Sequence, residues 1–98
     1  MKLNQDDTKK LLEILYKGLE IIKKEENTGD IKEKLKWLNS INLKIEILGY
    51  YVDTDSKDVT MLDISEYLDT VISDLEENKF NDYIYNTLFN DLEILLNE

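Results

Sequence analysis

Asp53 and Asp55 stand one residue apart in the polar run 53–59, and their spacing opens in the manner of a calcium-binding loop, where alternate side-chain oxygens converge on the cation. The pattern then fails. The next ligand position is Lys57, the position needing Gly for the sharp turn is Asp58, and the position of the closing bidentate Glu is Ile64. The run therefore reads as a polar turn with Asx-type hydrogen bonds, and no metal ligands are assigned. Carboxylates are plentiful elsewhere, but an acid–base pair needs one member buried or crowded to split the two pKa values. The acids here fall off the apolar stripes. A carboxylate-bridged di-metal site in a helical bundle also draws on Glu-x-x-His pairs, and the chain has no His.

The other missing residue types narrow the chemistry further. Without Cys there is no thiolate and no disulfide. Without His there is no imidazole base and no switch near neutral pH. Arg is absent too, so no planar fork can clamp a phosphate. The three glycines (Gly18, Gly29 and Gly49) form no phosphate loop and flank no nucleophilic Ser. The expectation is a protein that is not an enzyme and carries no cofactor. The lack of Arg and Ala beside many Lys, Asn and Ile suggests an AT-rich coding sequence, as in a low-GC bacterium, a phage or another mobile element.

Charge is the strongest remaining signal. Residues 1–50 carry ten Lys against nine acids; residues 51–98 carry only Lys57 and Lys79 against thirteen. A net of +1 thus precedes a net of −11 within a chain of net charge −10. A one-sided field of this kind selects basic partners and repels nucleic acid and anionic membrane surfaces. Acids at Asp6 and Asp7 stand where a secretory signal would turn apolar, and no apolar run approaches membrane-spanning length. The expected location is the cytoplasm.

Ninety-eight residues, 42% of them hydrophobic, suffice for one domain with one core. The apolar spacing predicts four helices. The first covers about 6–27, with Leu11, Leu12, Leu15, Leu19 and Ile22 in its stripe and Ile14 and Ile21 widening it. The second starts from Asp30 as N-cap and runs to about 51 through Ile31, Leu35, Leu38, Ile41 or Asn42, Ile45 and Leu48, with Trp37 expected against the core. A competing pattern alternates Ile41, Leu43, Ile45 and Ile47 with polar residues and would make 41–62 a β-hairpin in an α+β fold. The third helix starts near Thr60, which forms a capping-box pattern with Asp63, and carries Met61, Ile64, Leu68, Val71 or Ile72, and Leu75. The fourth, capped by Asn78 or Asn81, uses Ile84, Leu88, Leu92 and Leu95, widened by Phe80, Tyr85, Phe89 and Leu96. The predicted fold is all-α: a small antiparallel bundle of about four helices forming a single domain over 1–98.

Two functional expectations follow. In the first, the acidic second half occupies a basic, nucleic-acid-binding surface of a partner protein, such as a nuclease, and so inhibits or neutralises it. The candidate contacts are Asp63, Glu66, Asp69, Asp74, Glu77, Asp82 and Asp91, with Tyr83 or Tyr85 as anchors. Carboxylates four residues apart on a helix rise about 6 Å, a spacing on the scale of nucleic-acid phosphates. Immunity proteins, antitoxins and phage anti-defence proteins are built on this scale, a likeness of size and charge alone. In the second, the chain is a helical accessory subunit or homodimer that assembles through an apolar strip of Leu43, Ile47, Tyr51 and Ile94.

Overall fold

The computed structural model describes residues 5–26, 28–51 and 59–97, less the side chains of Gln5, Asp6, Tyr50 and Tyr51. It contains four helices: α1 Gln5–Glu25, α2 Ile31–Tyr51, α3 Met61–Glu76 and α4 Asp82–Leu96. The sequence expectation of an all-α, four-helix bundle holds. The β-hairpin alternative does not, since residues 41–51 are helical and no strand occurs among the described residues. Leu38, Ile41, Ile45 and Leu48 are all buried at helical spacing. The alternating residues Leu43 and Ile47, which a strand would have placed beside Ile41 and Ile45, face solvent instead. Residues 52–58, with the Asp53–Asp55 pair, lie outside the described residues.

Local chemistry sets each helix boundary. Glu26 and Gly29 take positive φ (54° and 84°) and turn the chain out of α1; only Gly adopts such a conformation without strain. Asp30 caps α2 by accepting from the Glu33 backbone N–H at 3.2 Å. The ammonium of Lys34 is buried against this turn, donating to the carbonyls of Glu26 and Thr28 and pairing with the Glu25 carboxylate at 3.1 Å. A buried ammonium is tolerated there because its donors are satisfied. Thr60 and Asp63 form the expected capping box: the Asp63 N–H donates to the Thr60 hydroxyl, and the Thr60 N–H donates to the Asp63 carboxylate at 2.9 Å. Asn78 occupies the left-handed position just past α3 (φ 58°), and Asn81, not Asn78, caps α4.

The helices stand in a ring in chain order, each antiparallel to its neighbours. The α2–α3, α3–α4 and α4–α1 pairs pack closely, whereas α1 and α2 approach each other sparsely. Leu12, Leu15, Leu19, Leu38, Ile45, Met61, Ile64, Leu68, Leu88 and Leu92 fill the centre. The Ser65 hydroxyl donates to Asn42 Oδ1 at 2.8 Å, and Asn42 Nδ2 donates to Asp69 at 2.7 Å, a buried polar link from α2 to α3. The α1–α4 contact is aromatic and polar. Tyr16 sits 5.0 Å from Phe89, centroid to centroid, and donates to Glu93 at 2.8 Å. Lys23 donates to Asn86 and pairs with Asp82 at 3.3 Å.

At the α1–α2 seam, the Trp37 ring lies against the α1 backbone where Gly18 has no side chain. A Cβ at Gly18 would fall 2.1 Å from the ring. Ile14 and Ile21 do not widen the core stripe as their sequence pattern suggests; they are 55% and 61% exposed. Each lies one residue before a buried one (Leu15 and Ile22), a rotation of about 100° that carries it out to the rim of the seam. Among the described residues no helix is long and apolar enough to cross a membrane.

Candidate protein-binding surface

The nine residues singled out by sequence do not form one face. On α3, Asp69 and Asp74 are five residues apart and so diverge by about 140°. Asp69 sits on the α2 flank, where Asn42 donates to it. Asp74 sits on the α4 flank, close enough for its charge to act on the Tyr85 phenol. Glu66 points outward between them and is exposed. Asp63 is committed to the capping box, yet it is close enough to α4 for its charge to act on Asp91. Glu77 lies past the end of α3, exposed, and pairs with Lys79 at 3.0 Å.

On α4, Asp82 and Asp91 are nine residues apart, two and a half turns, and project from opposite flanks. Asp82 is taken up by Lys23 of α1, whereas Asp91 faces α3. Tyr83 is 74% exposed on the outer pole and is available as an anchor. Tyr85 is not: it is 3% exposed, stacks on Phe80 at 5.1 Å and belongs to the core. Its burial, together with the charge of Asp74, pushes its phenol up to about 12. Tyr85 is therefore corrected from surface anchor to core residue. The apolar spacing also places Tyr85 in the α4 stripe, three residues before Leu88 and seven before Leu92, and it is that placement which holds.

What remains is a set of acids around the α3–α4 groove: Asp63, Glu66, Asp74 and Asp91. Among the described residues none of the four forms an ion pair. α3 itself carries five acids and no lysine. Partial burial, and then the neighbouring charge of Asp63, raise the Asp91 carboxyl above its ordinary value of 3.8. The array is not evenly spaced. Exposed Thr70 and Ser73 fill the outer face of α3 between Glu66 and Asp74, so the charge is gathered in two clusters about 12 Å apart along the helix.

The expected apolar strip also changes shape. Leu43 and Ile47 are exposed on α2 (59% and 47%), but Ile94 lies on α4, away from them, and the Tyr51 side chain is outside the described residues. Ile14 and Ile21 of α1, which sequence reasoning assigned to the core, take the vacated places, with Trp37 half-buried between the two helices. Two adjoining hollows run along this seam. One is lined by Ile14, Gly18, Ile21 and Trp37, and the other by Thr8, Leu11, Lys44 and Ile47. The signal was present in the sequence: Ile14 and Ile21 repeat at seven residues but sit out of phase with Leu15, Leu19 and Ile22. Among the described residues no group of carboxylates is arranged to hold a metal ion. No protein-family model, no curated protein and no solved structure matches the chain.

Proposed function

We propose that this is a non-catalytic protein-binding bundle that uses the acidic α3–α4 face to occupy a basic surface on a partner protein, as an inhibitor or neutralising factor would. The observation that carries this reading is the one-signed charge of α3, five acids and no lysine, beside a partly buried Asp91 on α4 that makes no ion pair among the described residues. The chain holds ten lysines in its first half and places none on α3. Hydration alone is served by mixed charge. Like charge held together at a cost in self-repulsion instead favours the complex, because a basic partner relieves the repulsion on binding. Glu66, Asp74 and Asp91 supply the charge, Asp63 contributes beside its capping role, and exposed Tyr83 is the aromatic contact. Asp69, Glu77 and Asp82 are held by Asn42, Lys79 and Lys23 and play a lesser part.

The test is affinity capture from a host lysate at about 50 mM and about 500 mM salt, with native protein and a Glu66→Gln, Asp74→Asn, Asp91→Asn variant. Mass spectrometry identifies what is retained. The proposal expects a basic protein retained by native protein at low salt, weakened at high salt and lost with the variant. An identical set of retained proteins for both, insensitive to salt, sinks it.

A second reading, a helical subunit assembling through an apolar strip, is favoured by the loosely packed α1–α2 seam, whose hollows are lined by the exposed Ile14, Ile21 and Ile47.

A further inference from the structure

We infer that the α1–α2 seam is a groove for one amphipathic helix of a partner protein, with an apolar seam and acidic flanks. This rests on the reading that the exposed strip is an assembly surface, and it names the occupant. The floor of the groove is apolar: Ile14, Ile21, Trp37 and Ile47. Its length, from Thr8 to Glu25 on α1, is about 26 Å, enough for a helix of about 17 residues.

The rims supply the charge complementarity. Lys10, Lys17 and Lys24 repeat at seven residues on α1, so they form one row, and that row borders the row of Ile14 and Ile21. Lys36 lies on the outer side of α2, two turns before Leu43 and on the same face, and Lys44 lines the groove directly. All five lysines are exposed and, among the described residues, make no ion pair. The opposing acids in the groove are Asp7, Glu25 and Glu33, and Lys34 already offsets Glu25. A helix with Glu or Asp on both flanks would thus meet lysines on both rims while its apolar seam covers the isoleucines. The acidic α3–α4 side lies across a bundle 22 by 18 Å in its shorter dimensions. That is beyond the screening length of about 8 Å at physiological salt, so it does not exclude an acidic partner.

Trp37 is the only Trp in the chain and lies in the groove, so its fluorescence reports on this face alone. The probes are two synthetic helical peptides of about 18 residues without Trp, sharing one Leu seam, with flanks all Glu or all Lys. The inference expects the Glu-flanked peptide to shift Trp37 emission saturably and to bind about tenfold tighter than the Lys-flanked peptide at low salt, the gap closing as salt rises. An Ile14→Ser, Ile21→Ser variant, whose altered side chains are exposed, must keep its helical circular dichroism and lose the shift. Equal or tighter binding by the Lys-flanked peptide at Trp37 overturns the acidic occupant but leaves the groove. A Trp37 shift that appears on self-association alone, checked by sedimentation, replaces the partner with a second copy and overturns the inference. Silence of Trp37 toward both peptides and toward concentration overturns the inference and the assembly reading together.

Discussion

Asn42 tests whether the register between α2 and α3 is fixed by a buried polar link. Asn42 is 7% exposed and Ser65 is 5% exposed, so their 2.8 Å hydrogen bond is shielded from water. Asn42 also donates to the carboxylate of Asp69, which stays in contact with solvent. Asn42→Ala removes both bonds and leaves a small void. The bond to Ser65 is worth about 1 kcal/mol net, and stranding the Ser65 hydroxyl adds to that. The bond to Asp69 contributes less than its charge suggests, because water takes its place. The expected loss is about 2–3 kcal/mol, or roughly 10–20 °C in Tm for a domain of this length. Ser65→Ala alone should lose about 1 kcal/mol. If the two residues act through their shared bond, the double variant should fall short of the sum by about 1 kcal/mol. Urea unfolding followed by far-UV circular dichroism, with an unchanged m-value, gives all three numbers. Additivity within about 0.3 kcal/mol would refute the link as an energetic unit, and a loss below about 1 kcal/mol for Asn42→Ala would show that the polar chain is incidental to α2–α3 packing.

Three more predictions concern single sites. Gly18→Ala places a methyl group inside the Trp37 ring, so the ring must leave α1; Trp37 emission should red-shift and stability should fall by about 1–3 kcal/mol, as overpacking does. Tyr85 is held neutral up to about 12 while the unfolded phenol ionises near 10.0, so stability falls as pH rises above 10. Tyr85→Phe should remove about 2 kcal/mol of that alkaline loss, read by comparing unfolding at neutral pH and at about pH 11.5. For Asp91 the raised carboxyl means that the fold takes up a proton more readily than the unfolded chain does. Stability then rises as pH falls from neutral through the folded-state value and levels off below 3.8, the ordinary value. Asp91→Asn should therefore be more stable than native protein at pH 7, with a flatter acid limb in a Tm–pH series.

The four helices were legible because no Pro interrupts them and because their ends carry explicit chemistry. Asp30, the Thr60–Asp63 box and Asn81 each cap the helix they precede. The α2 boundary was legible for the same reason, although its alternating stretch imitated a strand. The imitation failed because Leu38 and Leu48 extend the helical series on either side of it. Rotation about each helix axis was harder to read. Periodicity groups residues into a stripe but leaves its edges open, so Ile14 and Ile21 were placed in a core that excludes them, while Tyr85 was counted both in the α4 stripe and as a surface anchor. Burial of polar groups was legible least. Lys34 and Asn42 are ordinary helix residues in sequence, and only the turn carbonyls and Ser65 make their burial tolerable.

The disposition of charge is the part of the molecule that folding does not explain. A helical bundle of this size folds on its core, and mixed surface charge would keep it soluble with less self-repulsion. Here lysines rim the α1–α2 groove, while unpaired acids line the α3–α4 groove. Lys23–Asp82 shows that cross-helix pairing is available to this chain where α1 meets α4. Among the described residues the same device is missing at Asp63 and Asp91, where one lysine on α3 would relieve two carboxylates. Arrangements that lower the stability of the free protein commonly mark places where binding recovers the loss. The stability of Asp91→Asn and its capture by a basic partner should consequently move in opposite directions: the fold gains where the complex loses. If both rise together, Asp91 is merely an imperfect surface residue and the charge of α3 is only solvation.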